Sequence, residues 1–329
     1  MAIIKEKIMS GKLTSLQREI VKAKGKLRPL IVVEGNDDPN FYEKILYEIS
    51  PSGGKAARIM PISVLGRGAG CGPIIDQFQE IQEWLGFDLM QFVKGIIDRD
   101  SFYYIADSQG IQKRNAIKGL LILRYYSFES HFITKKAFKD LINKITTVEL
   151  SKIDDNILEY FFENLKKNVF DDFYYIGLEC LRNGLEKQYT AFCGYDRHER
   201  DIGNLNKCRN TVLKNIDRPY LDGIAQQKNI RNCIEDIKKI VKGKHLLYGV
   251  AFQMAYILEQ LEKKCNVLPC IYMNESCSNE SCRWKNKGKY TADQIYYKLQ
   301  ETLDVEEVNY IIDEFKNLNI ELKPHYISA

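Results

Sequence analysis

Two short apolar runs, each ending in carboxylates, constrain this 329-residue chain more than any other feature. Leu30-Ile31-Val32-Val33 leads into Glu34-Gly35-Asn36-Asp37-Asp38, and Gly95-Ile96-Ile97 leads into Asp98-Arg99-Asp100. Both runs are rich in β-branched residues, and neither alternates apolar with polar. That pattern belongs to strands buried on both faces of a parallel sheet. In open parallel sheets, ligands bind beyond the carboxyl ends of the strands. Glu34 stands at one such end, Asp98 and Asp100 at another. Positions i and i+2 of an extended segment share a side, so Asp98 and Asp100 are expected to point together. With the two strands as neighbours, three or four carboxylates meet at one sheet edge. They repel one another unless a cation neutralises them. Oxygen-only ligation suits Mg²⁺ or Mn²⁺.

The surrounding sequence places these runs in an α/β layer. The first two dozen residues predict a helix with Leu13, Leu16, Ile20 and Val21 on its inner face, ended by Gly25. Pro39 suits the first turn of the next helix, where Phe41, Ile45, Leu46 and Ile49 recur at helical spacing. Asp37 is read as that helix's N-cap. Asp38, four residues after Glu34, stands between two readings, cap and metal ligand. A second strand is expected over residues 58–65, followed by a Gly-rich loop, 66–72, and a helical pattern of Ile74, Ile75, Phe78 and Ile81. The loop lacks the Gly-Lys-Ser/Thr ending of a phosphate loop and the full dinucleotide fingerprint. It reads as flexible backbone carrying Arg67 toward the site. A third strand is expected over 95–100 and a fourth over 119–123, then Arg124-Tyr125-Tyr126 and the phrase SFESHF, 127–132. Alternating strands and helices predict a doubly wound layer. Taken alone, Glu129 reads as a first-turn acid in a helix capped by Ser127, and His131 as structural.

A Glu-Gly after a first strand and an Asp-x-Asp after a later one resemble a Toprim domain, the metal-dependent catalytic module of topoisomerases, primases and OLD-type nucleases. The phrases VEGNDDPNFY, IIDRDSF and YYSFESHF resemble OLD-like Toprim proteins of bacterial defence systems, and among these the effector subunits of PARIS-type anti-phage systems. The resemblance runs through the SFESHF phrase and thins beyond it. It implies a Toprim-like parallel sheet flanked by helices as the catalytic domain, residues 1–133, and a mainly helical C-terminal region, 134–329, that caps the site or makes oligomer or partner contacts. It implies Glu34, Asp98 and Asp100 as the core metal set, with Asp38 and Glu129 as further ligands. The Glu of such domains is also discussed as a general acid or base, and that choice stays open. Lys242-Gly243-Lys244 by itself is a helix end and a turn. The resemblance implies that Lys244, ahead of Lys242, approaches the metals, where it would stabilise charge developing on phosphate. It further implies tRNA cleavage as a toxic act, an active homodimer, and restraint by a partner ATPase. The chain itself carries no Walker A motif.

The remaining sequence is predicted helical over 135–145, 154–169, 171–185, 204–216 and 224–241, with two further helices in 291–318 capped by Thr291 and Asp304. Cys265, Cys270, Cys277 and Cys282 are spaced C-x4-C-x6-C-x4-C, at the edge of what a structural Zn²⁺ pair uses. Free thiols are the commoner outcome. The basic and aromatic run 283–290 suits a nucleic-acid backbone, although a solvated loop is the more frequent meaning. Net charge is only +4, so a basic groove would have to be local, built from Arg67, Arg99, Arg124 and the helical half. No apolar run reaches membrane-spanning length, there is no export signal, and the nine cysteines are scattered, which together predict a cytoplasmic protein without membrane contact. A topoisomerase would need a partner domain carrying its tyrosine, and a primase an N-terminal zinc module, so a nuclease is the leading class. The rivals are a Toprim scaffold used only for binding or sensing, and a metal-dependent phosphohydrolase of small nucleotides.

Overall fold

The computed structural model describes residues 13–66, 68–99, 117–125, 127–147 and 286–327, with shorter stretches inside 151–165, 217–226 and 247–259. In chain order its elements include α1 (Ser15–Gly25), β1 (Leu30–Val33), α2 (Asp38–Ile49), β2 (Arg58–Pro61), α3 (Cys71–Ile81), α4 (Phe87–Met90), β3 (Val93–Ile97), β4 (Leu120–Ile122), α5 (Lys135–Ile145), α6 (Arg218–Ala225), α7 (Ala292–Leu299) and α8 (Val305–Lys316). They fall into two compact units. The first holds the described residues up to Arg99, those through Arg124, and those from Val305 onward. The second holds the described residues from Tyr125 to Asp304.

The first unit is built on a four-stranded, wholly parallel sheet in the order β2-β1-β3-β4. All four residues of β1 and all five of β3 are buried, as unbroken apolar runs in a covered sheet require. The step from β1 to β2 runs one way, and the step from β2 to β3 runs back past β1. With right-handed crossovers, α2 and α3 therefore cover opposite faces. Side chains along β3 alternate accordingly. Gly95 lies under Phe78 of α3, where an added Cβ would stand 2.6 Å from the ring. Lys94 points the other way and pairs with Glu314 of α8 at 2.5 Å.

Local chemistry sets where the elements begin and end. The N-terminal helix starts at Ser15 because Thr14 and Gln17 form a capping box, each side chain accepting from the other's backbone N–H. Its buried face is Leu16, Gln17, Ile20 and Ala23; Leu13 and Val21, expected inside, are only half-buried. β2 stops at Pro61 rather than continuing to residue 65, and Ile62–Leu65 is a 3-10 turn. Proline has no N–H for a ladder and is tolerated there because β2 is an edge strand. β3 runs over Val93–Ile97, starting and ending earlier than the expected 95–100. Asp98 lies beyond the ladder, so strand geometry does not set its side relative to Asp100, which is outside the described residues. Gly66, Gly68 and Gly70 all adopt positive φ, at 79°, 85° and 96°, with open space where a Cβ would go. Backbone conformation, not crowding, accounts for glycine in this loop.

The domain division expected after residue 133 differs at both ends. The first unit stops at Arg124, and α8 returns to it. The physical reason is the apolar stripe of α8, in which Val308, Ile311, Ile312 and Phe315 are buried. Burial of such side chains is worth about 1.5–3 kcal/mol each. The stripe meets α2, with the Phe315 and Tyr42 rings 6.3 Å apart.

In the second unit, α5 occupies its predicted range, capped by Thr134, whose Oγ1 accepts the Ala137 N–H at 3.1 Å. α7 opens with a capping box between Thr291 and Gln294. The two helices pack together, tied by Lys144–Glu301 at 2.9 Å and by Thr302 Oγ1 donating to Asp140 at 3.0 Å. Described residues within 155–165 are helical. α6 fills the gap before the helix expected over 224–241 and reaches its first two residues; residues 227–241 of that helix lie outside the described residues. The predicted helices at 171–185 and 204–216 lie outside the described residues. Among the described residues, no helix is long and apolar enough to cross a membrane.

Candidate active site

The reversal of strand order between β1 and β3 makes their carboxyl ends the topological switch point, the place where open α/β sheets hold ligands. Glu34 follows β1 and Asp98 follows β3. The Asp98 backbone N–H donates to Glu34 Oε1 at 2.7 Å. That charge-assisted bond closes the gap where the β1–β3 ladder has ended, its last register pair being Val32 with Gly95. Glu34 is thereby oriented by its neighbour strand.

Asp38 joins them from α2. Asp37 occupies the N-cap position but makes no capping hydrogen bond, contrary to its sequence reading. Asp38, in the first turn, accepts the Gly35 N–H through Oδ2 at 3.2 Å and is buried. The turn after β1 is thus tied by the second aspartate, which leaves Asp37 at the surface. A Cβ at Gly35 would stand 3.0 Å from Asp38 Oδ1, so the chain's close approach favours glycine here.

Tyr42 lies beneath this group. It is four residues after Asp38 on the buried face of α2 and is fully enclosed. Burial pushes its phenol well above the ordinary tyrosine range, and the charges of Asp38 and Asp98, then Tyr310 and Glu34, push it further. One enclosed phenol therefore feels all three carboxylates.

Beside the carboxylates sit two arginines. Arg99 follows Asp98, and its Nη1 donates to the Arg124 carbonyl at 3.4 Å. Arg124 lies just past β4. Its backbone N–H donates to the Tyr310 hydroxyl at 3.0 Å, and its guanidinium stacks 4.3 Å above the Tyr310 ring. Tyr310 comes from α8, 186 residues further along the chain.

Of the residues predicted from sequence, Glu34, Asp38, Asp98, Arg99 and Arg124 are gathered in the first unit at the carboxyl end of its sheet. Asp100, Lys244, Lys242 and Arg67 lie outside the described residues, as do Cys265, Cys270, Cys277 and Cys282. Glu129 belongs to the second unit, on the 3-10 turn Phe128–Phe132, and is buried there. Ser127 takes the N-cap position without making the expected capping bond. His131 is structural, its Nδ1 2.9 Å from the Phe128 carbonyl. Sequence reasoning missed Tyr42 and Tyr310. The first left a signal, its spacing of four from Asp38. The second left none, because only tertiary packing brings α8 to β4.

The donors here are all oxygen, which suits a hard divalent cation. Among the described residues, however, no group of three or more His, Cys, Asp or Glu side chains is arranged to hold a metal ion. In chemical type the described carboxylates suit Mg²⁺ or Mn²⁺. Compared with protein-family models, curated proteins and solved structures, the chain has no match.

Proposed function

We propose that this chain is a metal-dependent nuclease of the Toprim type, hydrolysing phosphodiester bonds as the toxic effector of an anti-phage system. The observation that carries the reading is Glu34 and Asp98 joined at 2.7 Å across the switch point of a parallel sheet. Glu34, Asp98 and Asp38 would hold Mg²⁺ or Mn²⁺, with Asp100 and Glu129 as the additional ligands that the resemblance implies. When bound, such an ion neutralises phosphate and lowers the pKa of water. The chain's own residues prepare the site. The Asp98 N–H fixes the Glu34 carboxylate. Asp38 ties the turn that carries Glu34. Enclosed Tyr42 stays neutral at physiological pH and so adds no further charge beside the carboxylates. Lys244 is proposed as the group that meets charge developing on the phosphate. The substrate class proposed is nucleic acid, tRNA ahead of DNA, with a partner ATPase restraining a homodimeric effector in the cytoplasm.

The test is incubation of the purified chain with Mg²⁺ or Mn²⁺ and either total tRNA or plasmid DNA, beside Asp98→Ala. Metal-dependent cutting that is lost in the variant supports the nuclease, and the pool that is cut names its substrate. Equal cutting by the variant rejects the assignment. The rival reading is a scaffold that binds without cleaving. Cleavage by neither protein, even with the partner ATPase present, would reject the nuclease in favour of that rival or of the small-nucleotide phosphohydrolase.

A further inference from the structure

Resting on the nuclease reading, we infer that Arg124 and Arg99 form the phosphate-binding element of this site, with Arg124 set in place by Tyr310, and that their ligand is the phosphodiester backbone of a nucleic-acid strand. Three observations converge on this. First, Glu34, Asp38 and Asp98 concentrate negative charge where a polyanion would have to approach, so cationic groups are needed at the same sheet edge. Arg99 and Arg124 stand at that edge, past β3 and β4, linked by Arg99 Nη1 and the Arg124 carbonyl. Second, Arg124 is anchored twice by one side chain, through its N–H on the Tyr310 hydroxyl and its guanidinium on the Tyr310 ring. A surface arginine ordinarily has freely rotating side-chain bonds. Stacking removes much of that freedom in advance, so less is lost when its planar fork meets phosphate oxygens. Third, α8 is held to β3 by Lys94–Glu314 and to α2 by its apolar stripe, so Tyr310 sits on a rigid element.

The assignment gives Tyr310 a positioning role and the arginines a binding role. Neither role depends on a metal ion, so both are measurable in EDTA. The probe is a short fluorescein-labelled single-stranded oligoribonucleotide, titrated with the full-length chain by anisotropy over a salt series. Arg124→Ala should weaken binding about tenfold, and the slope of log affinity against log salt should shrink by roughly 0.7 for the lost contact. Arg124→Lys should keep the slope and weaken binding by a few fold, since the charge survives without the planar stack. Tyr310→Phe keeps the ring but loses the hydroxyl acceptor, and should likewise weaken binding with the slope intact. Wild-type affinity and slope in folded Arg124→Ala and Arg99→Ala proteins would overturn the inference. A Tyr310→Phe variant that melts lower but binds as wild type would overturn the positioning role. Should Arg124→Ala not fold, Arg124→Lys and Arg99→Ala carry the test. Displacement of the strand by an equal concentration of nucleoside monophosphate would place the pair in a small-nucleotide site and reject the backbone assignment. Running Asp98→Ala in parallel separates the two readings. Arginine-dependent binding without wild-type cleavage defeats the nuclease alone, whereas cleavage without arginine-dependent binding defeats this inference alone.

Discussion

The backbone N–H of Asp98 donates to the carboxylate of Glu34 at 2.7 Å, so the end of β3 orients the acid at the end of β1. The contact spans the one place in the sheet where successive connections diverge to opposite faces. It makes Glu34 a fixed group rather than a mobile surface acid, and its loss should be measurable in both stability and activity.

Glu34→Gln keeps an acceptor for that N–H and should alter unfolding free energy by less than about 1 kcal/mol, while Glu34→Ala should cost about 1.5–3 kcal/mol, the worth of a hydrogen bond to a charged group. Both should abolish metal-dependent cleavage. Urea denaturation alongside the cleavage assay separates the two effects. A Gln variant that cleaves at the wild-type rate would remove Glu34 from the site.

Lys94 is buried near the start of β3, and its ammonium meets Glu314 at 2.5 Å. Glu314→Ala leaves that charge enclosed without its partner and should destabilise by about 1–3 kcal/mol, below the cost of breaking a fully buried pair because Glu314 is partly exposed. Lys94→Met, and the double variant, should lie within about 1 kcal/mol of wild type. Equilibrium unfolding of all three proteins completes the cycle.

Gly95→Ala puts a methyl 2.6 Å from the Phe78 ring and 3.1 Å from Leu120 Cδ1. Phe78 is fully enclosed and has nowhere to retreat. The expected cost is about 1–3 kcal/mol from overpacking. Adding Phe78→Leu should recover part of that loss, a coupling that additive behaviour would refute.

Alkaline pH should expose the contact between the C-terminal turn and α2. Tyr326 donates its hydroxyl to Glu48 Oε1 at 3.2 Å. Burial, reinforced by the Glu48 charge and the hydrogen bond, raises the phenol from an ordinary 10.0 to about 12. The folded state therefore keeps this proton longer than the unfolded chain. The stabilisation is complete below pH 10 and is lost as pH rises toward 12. Stability measured across that interval should fall less steeply in Tyr326→Phe than in wild type.

The chain's local chemistry determined a good deal by itself. Unbroken β-branched runs at Leu30–Val33 and around Ile96 could be satisfied only by burial on both faces, which is why a parallel sheet and the carboxylates at its edge were legible. The apolar spacing of Ile74, Ile75, Phe78 and Ile81, and that over 135–145, likewise carried α3 and α5 in nearest-neighbour terms. Element ends were harder. Pro61 and the Asp98–Glu34 bond ended two strands early through competition between ladder pairing and other partners, which apolar patterning does not register. The same competition moved the tie of the β1 turn from Asp37 to Asp38. Tertiary structure alone decided that α8 returns to the first unit, that Lys94 finds Glu314 and that Tyr310 stacks on Arg124. Those pairings join residues nearly two hundred positions apart or more. No local periodicity encodes them, because they follow from the shape and charge left exposed once the sheet has formed.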